Sequence, residues 1–344
     1  MNIAKIPMKT VGPIKIIGPH IDAEVRVPLA TYEAPLWPSV NRGAKVSREA
    51  GGICAIIVDE RMTRSVVFEA LDAKTALRVF ESIKSRKDEM DEVVGKTSHF
   101  AKLLDVHSQI VGNLLYLRFE FSTGDAAGHN MVTKAADHLM SWMLGQYAEL
   151  KYISISGNFC ADKKVSAVNG ILGRGKYVVA EIMVPEKVCQ KILKTTPEKI
   201  VELNIKKNLL GTTLAGGLRT ANAHFANMLA AFYLAVGQDV ANIIEGSQGF
   251  VHTEVKQNDL YFSVTLPNII VGAVGAGKTL DFVRDNLKDL GCLQERESGE
   301  NARRLAVITA ATVLCGELSL LAALTNPGEL MRGHTILERG KRDR

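Results

Sequence analysis

The sequence has few of the residues that mark a secreted or metal-stabilised protein. Its 344 residues include five cysteines, an odd number, and no two of them are spaced as a CxxC pair. Disulfide frameworks and structural zinc sites need cysteines in regular sets, so both are excluded. The cysteines are predicted to be reduced thiols, and no metal site is expected.

A large excess of one charge is also missing. The chain has 42 basic and 37 acidic residues, a net charge of +5, which is too small to indicate a nucleic-acid partner. The basic cluster at 339–344 is predicted to be a solvated tail. The N-terminal residues 1–5 lack the basic and apolar pattern of a signal peptide, which favours a cytoplasmic protein.

One apolar run is long enough to be tested as a membrane span. Residues 305–324 are mostly apolar, but Glu317 lies inside the run. A carboxylate in the middle of a span is costly in lipid. The run is therefore predicted to be a buried core helix, and no membrane partner is expected.

The apolar residues that are present alternate between strand and helix patterns. Strands are predicted at 25–29, 53–58, 66–68, 114–121, 177–184 and 260–274. Helices are predicted at 74–87, 131–148, 221–236 and 302–324. A turn-rich segment, 124–130, links a strand to a helix, an arrangement that can hold a phosphate at the helix N-terminus.

Polar residues that could carry chemistry occur in four segments: 156–164, 204–227, 237–239 and the surroundings of His334. A lysine in the first could stabilise an alkoxide, an aspartate in the third could tune a neighbour, and a histidine can donate a proton at neutral pH. Taken alone, each segment has a simpler alternative. These are a surface loop, tight helix packing, an exposed helix end and a solvated tail.

Residues 272–279 match the phosphate-loop pattern GxxxxGK[ST] in full. A strand-like run precedes them, and a helix is predicted from Leu280. No second strand ending in a magnesium-binding aspartate is found. An ATPase, with hydrolysis lost in Lys278→Ala, therefore stays open as an alternative.

Taken together, these segments resemble the HMG-CoA reductase family, in order from about residue 10 to 336. The strongest stretches are 156–164, 173–176, 204–211, 222–227, 237–239, 299–303 and 316–320. The resemblance implies reduction of 3-hydroxy-3-methylglutaryl-CoA (HMG-CoA) to mevalonate and CoA with two reduced nicotinamide cofactors. The glycine-rich 272–279 segment falls where this family has a structural glycine run.

The resemblance also implies roles for individual residues. Those that match the family's catalytic residues are Glu33, Lys163, Asp239 and His334. Those that match its substrate-binding residues are Arg64, Ser156, Asp162, Lys164, Lys207 and Asn227. In these roles Lys163 stabilises the oxyanion, His334 protonates the CoA thiolate and Glu33 protonates the second alkoxide.

The cofactor segments depart somewhat from the family pattern. Those implied to bind the dinucleotide are Ser98, His99, Asp125, Ala127, Gly128, His129 and Asn130. Ser98 and His99 fall where NADPH-using members carry a serine and an arginine for the 2′-phosphate, and a histidine binds phosphate in a pH-dependent way. NADPH is favoured, with NADH as the alternative. Pro35 to Pro38 also replace the small residues that usually follow the glutamate.

The implied fold is of the α+β class. A large, mostly helical substrate domain, 1–65 and 155–344, is expected to contain an inserted, smaller α/β, ferredoxin-like dinucleotide-binding domain at 66–154. A homodimer or a dimer of dimers is implied, with active sites at the subunit interface. Besides the ATPase, a catalytically dead homologue that binds CoA esters stays open, on the strength of residues 35–38 alone.

Overall fold

The structure of the protein, a computed structural model, describes residues 4–339 and contains nine strands. They are β1 (Met8–Ile17), β2 (Ala23–Ala30), β3 (Ile53–Glu69), β4 (Lys102–Val111), β5 (Leu114–Ser122), β6 (Lys151–Ser154), β7 (Gly175–Val184), β8 (Phe250–Lys256) and β9 (Asp259–Ile269).

Thirteen α-helical segments accompany the strands in the part of the chain that the structure describes. They are α1 (Leu36–Glu49), α2 (Ala73–Lys84), α3 (Lys87–Gly95), α4 (His129–Gln146), α5 (Ala167–Leu172), α6 (Glu186–Val188), α7 (Pro197–Leu203), α8 (Thr212–Leu214), α9 (Phe225–Ala235), α10 (Ile243–Gly246), α11 (Asp281–Asp289), α12 (Glu300–Leu324) and α13 (Glu329–His334). Wider π-helical turns occur at Cys189–Leu193, Asn204–Gly211 and Thr335–Arg339, and a 3₁₀ turn at Val240–Asn242.

Strand β3 belongs to two sheets because it is 17 residues long. Its first half lies in a six-stranded sheet with the order β2-β1-β3-β7-β9-β8. All neighbours in this sheet are antiparallel except β1 and β3, which pair in parallel at Ile16 and Ile53. This sheet runs through the part of the chain that the sequence predicted to be mostly helical.

The second half of β3 lies in a smaller antiparallel sheet with the order β6-β3-β5-β4. Helices α2 and α3 connect β3 to β4, and α4 connects β5 to β6. The order along the chain is therefore strand, helix, strand, strand, helix, strand, with the two helices counted between β3 and β4 as one connection. Together with the spatial order of the strands, this is the ferredoxin-like arrangement.

Helix α12 forms the centre of the large core. It is apolar and long enough to cross a membrane, but 94% of its most apolar window is buried inside the protein. Its Glu317 accepts hydrogen bonds from the backbone N–H groups of Ala223 (2.9 Å) and His224 (2.6 Å). A Cβ at Gly43 of α1 would lie 2.2 Å from the carbonyl of Cys315, so α1 and α12 touch backbone to backbone. The prediction of a buried core helix is confirmed.

The buried apolar side chains form two clusters. One spans both ends of the chain, with members from Val11 to Ala55 and from Val178 to Ala322. The other is drawn from Met62 to Leu150, with Ile270 as its one member from outside that range. The mixture of helix and strand that the sequence predicted is confirmed, while the domain boundaries at 65 and 155 stay a prediction.

Several element boundaries differ from those predicted. The helix predicted at 74–87 ends at Lys84, and a separate helix, α3, follows. The strand predicted at 260–274 ends at Ile269, because residues 272–277 bring three glycines into a loop. Pro35 to Pro38 open helix α1, with Leu36 and Trp37 in the core. Of the predicted basic tail, residues 340–344 lie outside the described residues.

Candidate active site

The loop between β6 and α5 holds Lys163 in an unusual backbone conformation. Asn158, Ala161 and Lys163 all have positive φ angles, of 57°, 44° and 55°. Residues other than glycine adopt such angles rarely, and the cost must be offset by surrounding contacts. The Nζ atom of Lys163 lies 2.7 Å from Oδ2 of Asp239.

Both members of the Lys163–Asp239 pair are charged at neutral pH. The hydrogen bond to Asp239 raises the pKa of Lys163 above its ordinary value. Burial pushes the pKa of Asp239 upwards, but hydrogen bonds from Lys163 and from the N–H of Ala241 outweigh it and leave that pKa below its ordinary value. At neutral pH the site therefore presents an ammonium held by a carboxylate, the form that can stabilise a developing oxyanion.

The turn that carries Asp239 packs directly on the glycine-rich loop 272–278. Gly237 has φ of 61°, and a Cβ there would lie 2.7 Å from the carbonyl oxygen of Gly277. The side-chain amide of Gln238 exchanges hydrogen bonds with the backbone of Gly272, at 3.1 and 3.0 Å. Lys278 donates a hydrogen bond to the carbonyl oxygen of Gly237.

The lysine of the phosphate-loop pattern is therefore bonded to a neighbouring turn. Burial lowers the pKa of Lys278 to about 8. The loop also contacts the predicted cofactor segment, because the N–H of Ala273 donates to the carbonyl oxygen of Asp125 at 2.8 Å. Loop 272–278 thus connects the turn of Asp239 to residues 125–130.

A cleft of about 510 Å³ lies where these elements meet. It is lined by eight of the residues predicted for the site: Arg64, Ala127, Gly128, His129, Asn130, Asp162, Lys163 and Asp239. It is also lined by Gln238 and Lys278, which were not assigned to the site from the sequence. In the sequence, Lys278 was noted only as part of the phosphate-loop pattern.

Helix α4 begins at the edge of this cleft. Gly128 precedes the helix with φ of 93°, and His129 is its first residue. Burial and the nearby Arg174 lower the pKa of His129 to about 4, so its ring is neutral at neutral pH. Its buried Nε2 atom has no hydrogen-bond partner within residues 4–339.

Two predicted catalytic residues lie elsewhere in the chain. Glu33 does not line the 510 Å³ cleft, and its carboxylate accepts a hydrogen bond from the side-chain amide of Asn227 on α9. His334 lines another cleft, of about 380 Å³, together with Pro35 and Arg42. A single chain therefore brings Lys163 and Asp239 together but leaves Glu33 and His334 outside their cleft.

The remaining predicted residues are also dispersed. Ser98 and His99 line a third cleft, of about 560 Å³, on the smaller sheet's side of the molecule. Lys164 donates to the carbonyl oxygen of Asp162, and Lys207, on the π-helical turn after α7, donates to Asn208. The N–H of Ser156 donates to the hydroxyl of Ser154.

Asp125 has a structural partner that the sequence did not indicate. Its carboxylate accepts hydrogen bonds from the N–H groups of Gly299 (3.1 Å) and Ala302 (2.9 Å), at the start of α12. A carboxylate at a helix N-terminus satisfies otherwise unpaired donors. Its predicted contact with the cofactor stays a prediction.

One group of possible metal ligands lies outside the site. Asp105, His107 and Glu120 have ligand atoms within 4.8 Å of one another. The Glu120 carboxylate, however, already bonds to both Arg61 and Arg118. Two guanidinium groups at that carboxylate oppose the binding of a cation.

Comparison with known proteins shows the family to which the chain is similar. The family model for hydroxymethylglutaryl-coenzyme A reductase matches residues 2–339. The 3-hydroxy-3-methylglutaryl-coenzyme A reductases of Pyrococcus abyssi and Aeropyrum pernix are 45% and 43% identical to this chain. These matches cover 98% and 99% of the chain and 83% and 81% of the relatives.

A solved structure shares the fold at low sequence identity. It is the class II 3-hydroxy-3-methylglutaryl-CoA reductase of Streptococcus pneumoniae, solved with NADPH bound. The TM-score is 0.75 at 20% identity, with 95% of this chain and 86% of that one covered.

Proposed function

Since this chain belongs to the hydroxymethylglutaryl-coenzyme A reductase family, we propose that the cleft around Lys163 is its reductive site. The enzyme reduces HMG-CoA to mevalonate and CoA in the isoprenoid pathway. This family assignment replaces the ATPase and binding-only alternatives. The observation that carries the proposed site is the Lys163–Asp239 ion pair at 2.7 Å, in a cleft shared with residues 126–131.

The cleft suits an anionic dinucleotide. The buried Nε2 atom of His129 has no hydrogen-bond partner within residues 4–339. The ammonium of Lys278 has a pKa lowered by burial. A dinucleotide would bring acceptors and negative charge to both, and would meet the N-terminus of α4. We propose that Ala127, Gly128, His129 and Asn130 bind it, with Asp125 fixing the segment.

The proposed roles follow from charge and position. Two reduced nicotinamide cofactors, bound one after the other, would each supply one hydride. Lys163, held by Asp239, stabilises the negative charge that develops on the thioester oxygen and then on the aldehyde oxygen. Asp162 and Arg64, whose charged groups lie 3.6 Å apart, orient the hydroxymethylglutaryl group from the same wall of the cleft. Ser156, Lys164, Lys207 and Asn227 complete its binding.

Two proton transfers remain to be assigned. We propose that His334 protonates the departing CoA thiolate and that Glu33 protonates the second alkoxide. Positioned proton donors of this kind contribute about 10²–10⁴-fold in rate. His334 is the last residue of the short helix α13, and closure of a terminal segment over a site is a common way to exclude water.

NADPH is the proposed cofactor, with NADH as the alternative. Ser98 and His99 share their cleft with Lys102. A serine hydroxyl, an imidazole and an ammonium together can bind a 2′-phosphate, and imidazole contributes charge only when protonated. The proposed small domain, 66–154, would therefore carry the residues that discriminate the two cofactors. The cytoplasmic location stays a prediction.

A second copy of the chain is proposed to complete the site. Support comes from the separation of Glu33 and His334 from the Lys163 cleft within one chain. Further support comes from exposed apolar side chains between 205 and 218, which are Ile205, Leu209, Leu210, Leu214 and Leu218. An apolar surface of this kind marks a site of association.

The test is turnover of HMG-CoA followed by loss of nicotinamide absorbance. We expect oxidation of NADPH, and more slowly of NADH, by the wild type. Lys163→Ala should lower kcat by at least about 10²–10³-fold, because it removes the group that stabilises the oxyanion. Lys151→Ala is the matched control, since that exposed lysine pairs with Glu69 on the surface.

The two variants separate the proposed role from general damage. Equal turnover in Lys163→Ala and the wild type would remove Lys163 from the mechanism. No turnover by the folded wild type with either cofactor would overturn the proposed site as a whole.

A further inference from the structure

A buried ion pair lies directly behind the loop that carries Lys163. Arg174, just before β7, is 1% exposed, and Glu245 of α10 is fully buried. The Nη1 atom of Arg174 lies 2.6 Å from Oε1 of Glu245. A buried pair of this kind adds little stability compared with apolar residues of the same volume, because both charges lose their hydration.

Each partner of the pair also contacts the catalytic loop. Oε1 of Glu245 accepts a hydrogen bond from the backbone N–H of Lys163, at 3.1 Å. The Nη2 atom of Arg174 lies 2.8 Å from Oδ1 of Asp162. Two consecutive loop residues, 162 and 163, are therefore held by the two partners of one ion pair.

The loop needs such contacts because its backbone is strained. Lys163 has φ of 55° and Ala161 has φ of 44°, in the left-handed region that disfavours residues with a Cβ. Asn169 adds a third contact, by donating to the carbonyl oxygen of Ala161 at 3.1 Å. From this conformation the Lys163 side chain reaches Asp239.

We propose that Arg174 and Glu245 are positioning residues, which hold the backbone of residues 162 and 163 so that the Lys163 ammonium meets the reacting oxygen. The inference rests on the proposed role of Lys163. Displacement of a reacting group by about 1 Å can cost about 10²-fold in rate, which sets the size of the expected effect.

The pair also affects the charge of the loop. The charged or titratable groups around Lys163 are Asp162, Asp239 and Glu245 on the acidic side, and Arg64, His129, Arg174 and Lys278 on the basic side. Asp239 raises the pKa of Lys163 most, through its hydrogen bond, and the negative charge of Glu245 adds to the effect. Removal of that charge should therefore lower the pKa of Lys163.

The experiment uses Glu245→Gln and Arg174→Met in the full chain, with kcat scaled to the folded fraction. Glu245→Gln keeps an oxygen acceptor for the Lys163 N–H but loses the charge. We expect kcat to fall about tenfold and the alkaline limb of the kcat profile to move to lower pH. Arg174→Met releases both Asp162 and Glu245, and kcat should fall about 10²-fold.

Arg174→Lys should rescue little, because one ammonium cannot replace a guanidinium that bridges two carboxylates. The matched control is Glu120→Gln, a carboxylate of equal burial whose arginine partners are Arg61 and Arg118. It should lower stability while kcat stays within about threefold and the alkaline limb does not move.

If a single variant fails to fold, the double variant Arg174→Met, Glu245→Met removes both charges together. It should fold, yet keep the low kcat. Values of kcat within about threefold of the wild type in all variants, with an unmoved alkaline limb, would overturn the inference. Failure of the proposed function would look different, because either the wild type would show no turnover or Lys163→Ala would retain full turnover.

Discussion

At the scale of single residues, His129 shows how the site favours one protonation state. Burial and Arg174 lower its pKa from 6.5 to about 4. The unfolded chain therefore binds a proton first as the pH falls below 6.5, and the free energy of unfolding decreases between pH 6.5 and 4. Above pH 6.5 the imidazole of His129 is neutral in both the folded and the unfolded chain, so it contributes no pH dependence to the free energy of unfolding.

We predict that His129→Met weakens this acid sensitivity. The difference in unfolding free energy between pH 7 and pH 4.5 should shrink by about 1–2 kcal/mol, as followed by urea denaturation at both pH values. His138→Met, at an exposed position on the same helix, is the control for the loss of a histidine. Identical pH dependence in His129→Met and the wild type would contradict the proposed cause.

The residues of the site were predictable where they fall in distinctive polar segments. Lys163 and Asp239 are far apart in the sequence yet meet at 2.7 Å. Arg174 and Glu245 were not assigned to the site, because the sequence does not show which charges become buried behind a loop. That arrangement depends on β7 and α10 being brought together by the large sheet.

At the scale of elements, loop 272–278 matters because it joins the turn of Asp239 to residues 125–130, the proposed cofactor segment. Its sequence matches a phosphate loop, but Lys278 donates to Gly237, and burial lowers its pKa from 10.5 to about 8. Between those pH values the unfolded chain binds more protons than the folded chain. The contribution of Lys278 to the free energy of unfolding therefore increases as the pH rises through this window.

Lys278→Met should abolish that contribution. Relative to the variant, the wild type should gain about 1–2 kcal/mol of unfolding free energy between pH 7.5 and pH 10. This value is reduced to allow for solvent screening of Lys278 near the cleft. Urea denaturation at the two pH values measures the gain. Lys288→Met, at an exposed position on α11, is the control, and parallel behaviour of the two variants would count against a buried cation at 278.

Helix α12 was predicted to within two residues of its observed bounds, from its apolar run. Its interior Glu317 is nevertheless fully buried and bonds to the N–H groups of Ala223 and His224. Periodicity could identify the helix, but not the partner loop that makes a carboxylate tolerable in the core. That partner lies over 90 residues away in the sequence.

We predict that Glu317→Leu destabilises the protein by about 3–5 kcal/mol, because it leaves the partly buried N–H groups of Ala223 and His224 without their acceptor. Glu317→Gln keeps one acceptor and should cost less. Thr309→Val, which removes a hydrogen bond within the same helix, should cost about 1 kcal/mol. Equal denaturation midpoints for Glu317→Leu and Thr309→Val would refute the capping role of Glu317.

At the scale of the whole molecule, the two sheets that share β3 explain why the fold was only partly predictable. Most strands were predicted individually, from alternation or β-branched runs. Their pairing was not, since β3 contacts β7 through one half and β5 through the other. No local pattern marks the point, near residue 62, at which one strand passes between two sheets.

Whether one chain is a complete catalyst also depends on the arrangement of the whole molecule. Glu33 and His334 lie outside the cleft of Lys163 and Asp239, and we propose that a second copy of the chain brings them to it. Leu214 is 90% exposed and lies within the apolar surface between 205 and 218. We predict that Leu214→Asp weakens dimerisation by about thirtyfold or more, as expected for a central apolar contact.

Light scattering and turnover, measured over a dilution series, test this prediction together. Leu214→Asp should dissociate at higher protein concentration than the wild type, and its turnover should fall in parallel with the dimer fraction. Leu71→Asp is the control, because Leu71 is 74% exposed but lies between β3 and α2, away from that surface. A monomer with full turnover would show that one chain gathers all four catalytic groups by a movement of its own, and the second copy would lose its proposed role.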